Sequence, residues 1–177
     1  RRRIAIGTAF CLALVALSFV TVKHLSSKWL LQAAETSDLK RARLALNFGA
    51  NADAAKPDGT TALMLAAENR STEAVKLLLS HGANVNRSRE SHPKTALLCA
   101  IGGPDDVIRS LVQAGADVNA RFEDGRPFLT ALIRNRASEG DYRQSGDLFK
   151  FILDHGADVN AAEENGTTAL KIVTLWK

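Results

Sequence analysis

The chain is poor in the residues that small secreted scaffolds and metal enzymes depend on. Only two cysteines occur in 177 residues, Cys11 and Cys99, and they are far apart in the chain. That excludes a disulfide framework. Four histidines, His24, His81, His92 and His155, are too few and too scattered to combine with cysteine in a zinc-ligand spacing. "GGPDD" (Gly102–Asp106) lacks the Lys-Ser/Thr ending of a phosphate loop, and no nucleophile elbow occurs. Its glycines end one helix, Pro104 opens the next, and Asp105 and Asp106 suit that helix's N-terminus. Nothing in the sequence points to catalysis, a cofactor or a small-molecule substrate.

An excess of one charge is also missing once the chain is divided. The net charge of +4 comes from 23 basic and 19 acidic residues. Arg1, Arg2, Arg3 and Lys23 flank one apolar run, and without those four the rest is neutral. A nucleic-acid interface needs clustered Lys and Arg, so no nucleic-acid partner is expected.

What the chain does have begins with that run. Ile4–Val22 is 19 residues without a charge. As a helix it spans about 28 Å, close to the roughly 30 Å hydrocarbon core. It is read as an uncleaved, single-pass transmembrane helix over 4–22, after a basic flank at 1–3 and before a short linker at 23–28. The arginine cluster favours a cytoplasmic N-terminus, which puts the remainder on the non-cytoplasmic side, periplasmic in a bacterium. Ala5, Ala9, Ala13 and Ala16 form a narrow stripe of small residues. Such a stripe admits a neighbouring helix in lipid, although alanine is also simply common there.

Beyond the run, one local pattern returns four times: "ALNFGANAD", "LLLSHGANVN", "LVQAGADVNA" and "ILDHGADVNA". Their glycines, Gly49, Gly82, Gly115 and Gly156, are spaced by 33, 33 and 41 residues. A fixed period of this size marks a solenoid of stacked units. Ahead of three of these glycines, Val75/Leu78/Leu79, Ile108/Leu111/Val112 and Phe149/Ile152/Leu153 each line one helical face. The glycine ends the helix in a left-handed conformation, and His81 and His155 sit beside the helix C-terminus. Val85, Val118 and Val159 then return an apolar group to the core. A second helix signal, "DGTTALMLAAENR" (Asp58–Arg70), recurs as "NGTTALKIV" and "KTALLCAI", with Thr61 placed to cap.

In order and spacing, "DGTTALMLAA" followed by "LLLSHGANVN" resembles the ankyrin-repeat family, whose pattern is Asp-Gly-x-Thr-Pro-Leu-His-x-Ala-Ala, a helix ending Leu-Leu, then Gly-Ala-Asp-Val-Asn. The resemblance covers about Lys28 to the end. It implies an all-α solenoid of helix–turn–helix units with projecting β-hairpin connectors, over 29–177, as about four repeats and a C-terminal half repeat. Departures are clear. Ala62, Ala96 and Ala169 stand at the family's Pro, and Met64, Leu98 and Lys171 at its His, so that histidine's bond is lost. Pro127 and Phe128 replace Thr and Pro in unit four, and an insert at 135–147 separates that unit's helices.

The resemblance further implies a protein partner, met by hairpin tips and inner helices. The tips are Lys56 and Pro57; Arg87, Arg89 and His92; Arg121, Phe122 and Glu123; Glu163 and Glu164. Inner-helix candidates are Leu65, Glu68, Asn69, Cys99, Ala131 and Arg134. Phe122 is either an anchor for a partner or packed under its own hairpin. Arg87, Arg89 and Arg121 form either a basic strip or a solvated edge. The insert is a docking loop with Tyr142 as its anchor, or a bulge without function. Only "KHLSSK" separates Val22 from Trp29, a reach of about 20 Å fully extended. The expected function is therefore a non-catalytic accessory or scaffolding subunit of an integral membrane complex. The alternative is a membrane-tethered binder of a soluble protein, such as an immunity or stress-protection factor.

Overall fold

In the computed structural model the chain is described at residues 22, 24–89, 94–138 and 146–175. Nine helices occur among them: α1 over 24–35, then α2 (Leu39–Asn47), α3 (Ala62–Glu68), α4 (Thr72–Ser80), α5 (Ala96–Cys99), α6 (Asp105–Gln113), α7 (Phe128–Ser138), α8 (Gly146–Asp154) and α9 (Ala169–Leu175). In chain order they form the units α1–α2, α3–α4, α5–α6 and α7–α8, with α9 beginning a fifth, and α3 packs on α4 and α5 on α6. Inner helices stack on inner helices, α3 on α5 and α7 on α9. Outer helices stack on outer ones, α2 on α4, α4 on α6 and α6 on α8.

Each helix begins and ends as its residues dictate. Thr61, Thr95 and Thr168 accept the N–H of Met64, Leu98 and Lys171 at 3.2, 3.4 and 3.5 Å. These satisfy first-turn donors that no carbonyl can reach. Pro104 opens α6 without a side-chain cap, and Asp105 and Asp106 occupy its first turn. At the outer helix ends, Gly82 has φ +79°. Its N–H reaches Leu79 O at 3.0 Å, and the N–H of Ala83 reaches Leu78 O at 3.1 Å. This paired closure is the Schellman pattern, and it recurs at Gly49, Gly115 and Gly156. His81 Nδ1 lies 2.9 Å from Leu77 O and His155 Nδ1 2.7 Å from Phe151 O. Each ring nitrogen therefore carries a proton and donates it to a last-turn carbonyl.

The core runs the length of the stack. All of Ala62–Ala67 is buried, as are Val75, Leu78, Ile108, Leu111, Val112, Phe128, Leu132 and Ile152. Alanines on the inner helices let neighbouring units approach closely. Val85 and Val118 are buried as expected, but Val159 is 46% exposed, because no outer helix follows α9 among the described residues to cover it. Leu153 is exposed for the same reason.

Three expectations are revised. The connectors are not β-hairpins with strands. Among the described residues they are tight turns closed by single antiparallel bridges, Ala55 to Thr61 and Arg121 to Pro127. Asp58, Asp124 and Asn165 each fold back onto an N–H two residues on, which leaves the ladder too short to extend. Residues 24–28, expected as linker, are the first turns of α1, with Ser26 and Leu30 buried. The insert is helical at its start, since α7 continues to Ser138, while 139–145 lies outside the described residues. The apolar run with Ala5, Ala9, Ala13 and Ala16 also lies outside them, apart from Val22. Among the described residues no helix is long and apolar enough to cross a membrane.

Candidate protein-binding surface

The tips and inner helices present two grooves. The first, of about 690 Å³, lies where α1 meets the first two connectors, and Lys28, Asp53, Lys56, Pro57 and Arg87 line it. The second, of about 400 Å³, lies along α7, lined by Ile101, Phe122, Arg126, Ala131, Arg134 and Asn135. Of the expected residues, Lys56, Pro57 and Arg87 meet in the first groove, and Phe122, Ala131 and Arg134 in the second.

Several candidates prove to be employed within the stack. Asn69 Nδ2 donates to Ala34 O and Glu35 O at 2.8 and 3.0 Å, closing the C-terminus of α1. Arg87 Nη1 donates to Asp53 O at 3.1 Å. Arg121 Nη1 donates to Gly125 O and Ala162 O at 2.7 and 2.9 Å. Arg89 Nη2 lies 3.9 Å from Asp58 Oδ2. The three arginines therefore hold connectors rather than forming a continuous strip. Glu163, expected at a tip, is buried and grips Arg134 by two bonds of 3.2 Å. Glu164 remains exposed.

Phe122 is half-buried against the core, with the Arg126 guanidinium 5.5 Å from its ring centroid. It packs in part against the core, as the second reading expects, and also lines the groove. Leu65 is buried, and Glu68 is exposed with Lys94 3.8 Å away. Glu123 is exposed. His92 and Tyr142 lie outside the described residues.

Two turn carboxylates, Asp58 and Asp124, are held ionised. The Thr60 N–H and then its hydroxyl keep the Asp58 carboxyl below the ordinary range. At Asp124 desolvation works the other way, but the N–H and guanidinium of Arg126 outweigh it and the carboxyl is again lowered. Burial pushes the Cys99 thiol up to about 11. At neutral pH it is therefore inert, because the thiolate is the reactive species. In a Cys11→Ser chain, native Cys99 is expected to react with a disulfide reagent at least about a hundredfold more slowly than in urea. Equal rates in both states would show that the inner-helix face is open at this point.

Two features escaped sequence reasoning. One is a ladder between units. Asn86 accepts the N–H of Asp117 at 2.9 Å and donates to Gly115 O at 2.8 Å. One unit on, Asn119 accepts from Asp158 at 2.8 Å and donates to Gly156 O at 3.0 Å. Asp53 takes the same place below, accepting from Asn84 at 2.7 Å. The signal was present, a short polar residue at one fixed slot in every unit, Asp53, Asn86, Asn119 and Asn160, but the slot alone does not show that its side chain reaches the next unit. The other is Arg136. It is buried, donating to Gly103 O at 2.7 Å and to Asp105 Oδ1 at 2.9 Å. Gly103 is also tightly placed, since a Cβ there would lie 3.1 Å from Ala100 O, and a Cβ at Gly102 would lie 3.3 Å from Arg70 Nη2. "GGPDD" is thus a joint between units.

Among the described residues no group of three or more His, Cys, Asp or Glu side chains is placed to hold a metal ion. The family description "Ankyrin repeats (3 copies)" matches residues 30–122, just over half of the chain. Comparison with curated proteins gives no match.

Proposed function

This chain belongs to the ankyrin-repeat family, a family of protein–protein interaction modules that are generally non-catalytic, and from that premise we propose that it serves as an accessory subunit of a larger membrane complex. In this reading Ile4–Val22 is the anchor, and the two grooves engage a polypeptide already at the membrane, on its non-cytoplasmic side. The observation that carries the reading is the lack of slack. Val22, the last residue of the apolar run, is already helical, and α1 is under way by residue 24. A solenoid joined so directly to a bilayer segment stays at the surface and meets what is fixed beside it.

The grooves give that partner a chemistry. Lys28, Lys56, Arg87 and Asp53 line the first, with Lys56 paired to Glu35; Arg126 and Arg134, paired to Asp124 and Glu163, flank Phe122 in the second. The second groove suits a segment with an apolar side chain to pack on Phe122 and polar groups to meet the ion pairs beside it. Extraction of the full chain in mild detergent, followed by size-exclusion chromatography and mass spectrometry, tests the reading. The chain is expected to elute with integral membrane polypeptides, and Phe122→Ala with Arg134→Ala to weaken that association. Recovery as a lone monomer in detergent, with candidate partners present, would overturn it.

A further inference from the structure

Large apolar side chains that stay exposed are gathered at the two ends of the stack. At the C-terminal end Leu153, Val159, Leu170 and Val173 are exposed around the groove between α8 and α9. The repeat itself accounts for that groove, because each earlier inner helix is followed by an outer helix in the corresponding place. The N-terminal end has no such account. There Val22, Leu25, Trp29, Leu44 and Phe48 are 48, 51, 56, 55 and 60% exposed.

These five side chains form one surface. Val22, Leu25 and Trp29 are spaced three and four apart, so they share a face of α1. Leu44 and Phe48 are four apart, on α2 and at its C-cap. Val22, Leu25, Trp29 and Phe48 line one cavity, and Trp29, Leu44 and Phe48 line the next, together with Gln32 and Arg41. The surface thus grades from wholly apolar at Val22 to polar at Gln32 and Arg41. Lys28, Lys40, Arg41 and Arg43 are all exposed on these two helices, against Glu35 and Asp38. Among the described residues no unit covers this face, and α2 packs on α4.

We infer that this face of the first repeat is seated in the headgroup layer of an anionic phospholipid bilayer, with Trp29 as its interfacial anchor. The inference rests on the membrane reading given above and goes beyond it, because a tether alone would leave the face in water. What selects lipid as the occupant is continuity. The 19 uncharged residues end at Val22, the first member of the patch. Trp29 lies about 10 Å along α1 from there. A headgroup layer is roughly 5–8 Å thick, so an oblique α1 brings Trp29 within it. Tryptophan prefers that depth, and exposed lysine and arginine beside it suit anionic headgroups. Seated this way, the first repeat becomes the base of the stack, and the grooves at the connectors point along the membrane or away from it.

The test uses the full chain with Trp176→Phe, which leaves Trp29 as its one tryptophan, reconstituted in phosphatidylcholine–phosphatidylglycerol vesicles. Flotation is read first. Trp29 emission is then compared in vesicles with and without lipid brominated near the headgroup end of the acyl chain. The expected result is a chain that floats, with blue-shifted Trp29 emission that loses most of its intensity to brominated lipid. Adding Leu44→Glu and Phe48→Glu is expected to leave flotation and helical content unchanged while the quenching falls and the emission shifts red. A chain that floats with red-shifted, unquenched Trp29 overturns the inference and leaves the tether standing. Blue-shifted emission that ignores brominated lipid and is lost on dilution means a second copy covers the face, and also overturns it. A chain that fails to float removes the membrane reading and this inference together.

Discussion

Phe128→Ala is expected to cost about 3–5 kcal/mol, the range for emptying a fully buried phenylalanine site. Phe128 has no exposed surface. It opens α7, and its N–H donates to Ala120 O at 2.9 Å, so backbone and ring are fixed together. Pro127 before it bridges to Arg121, which limits how far the backbone can close over a cavity. A stack fails locally, because each unit leans only on its neighbours. The loss is therefore expected to fall on α7, α8 and α9, with α3, α4 and their contacts kept. Urea unfolding followed by circular dichroism is expected to split into two steps. Amide exchange is expected to quicken across 128–138 and 146–175 and to stay slow across 62–80. A single transition displaced by less than about 1 kcal/mol would mean that the neighbouring helices collapse into the space and that α7 is not held as described.

Phe128 also marks how far sequence reading reaches. The units were legible because their signals are local: a threonine before a helix, apolar residues at helical spacing, a glycine where the chain must turn left-handed. Each needs only a few neighbouring residues, and each recurs. Phe128 was legible only as a departure from the family pattern. That it is a core residue depends on which helices face it, and its own segment does not carry that information. Arg136 is the same case in polar form. A charged residue early in an insert reads as surface, yet Gly103 O and the Asp105 carboxylate of the preceding unit accept its guanidinium and bury it. At the candidate site the sequence singled out Phe122, Ala131 and Arg134, and these do meet in one groove. It could not separate side chains facing a partner from those such as Asn69, Arg121 and Glu163 that join one unit to the next. That separation requires the distance between units, which a period alone does not supply.

The strongest consequence for the joints concerns Asn119→Ala. Removing this side chain deletes two bonds across one joint, to Asp158 N and Gly156 O. At about 0.5–1.5 kcal/mol each, the expected loss is about 1–3 kcal/mol. Asn119→Asp keeps an acceptor for Asp158 and loses the donor, so its cost is expected to lie between zero and that of alanine. The ladder also predicts that its rungs are coupled. Asp117 donates its N–H to Asn86 and accepts the N–H of Asn119 with its own carboxylate. Breaking the lower rung frees the residue that orients the upper one. A double-mutant cycle of Asn86→Ala and Asn119→Ala is therefore expected to show an interaction energy of about 0.5 kcal/mol or more, as groups in one network do. Strict additivity would mean that the asparagines cap their turns separately and that the stack is held by its apolar faces alone. Amide exchange at Asp158 distinguishes the two directly, since that N–H loses its acceptor only where the rung is real.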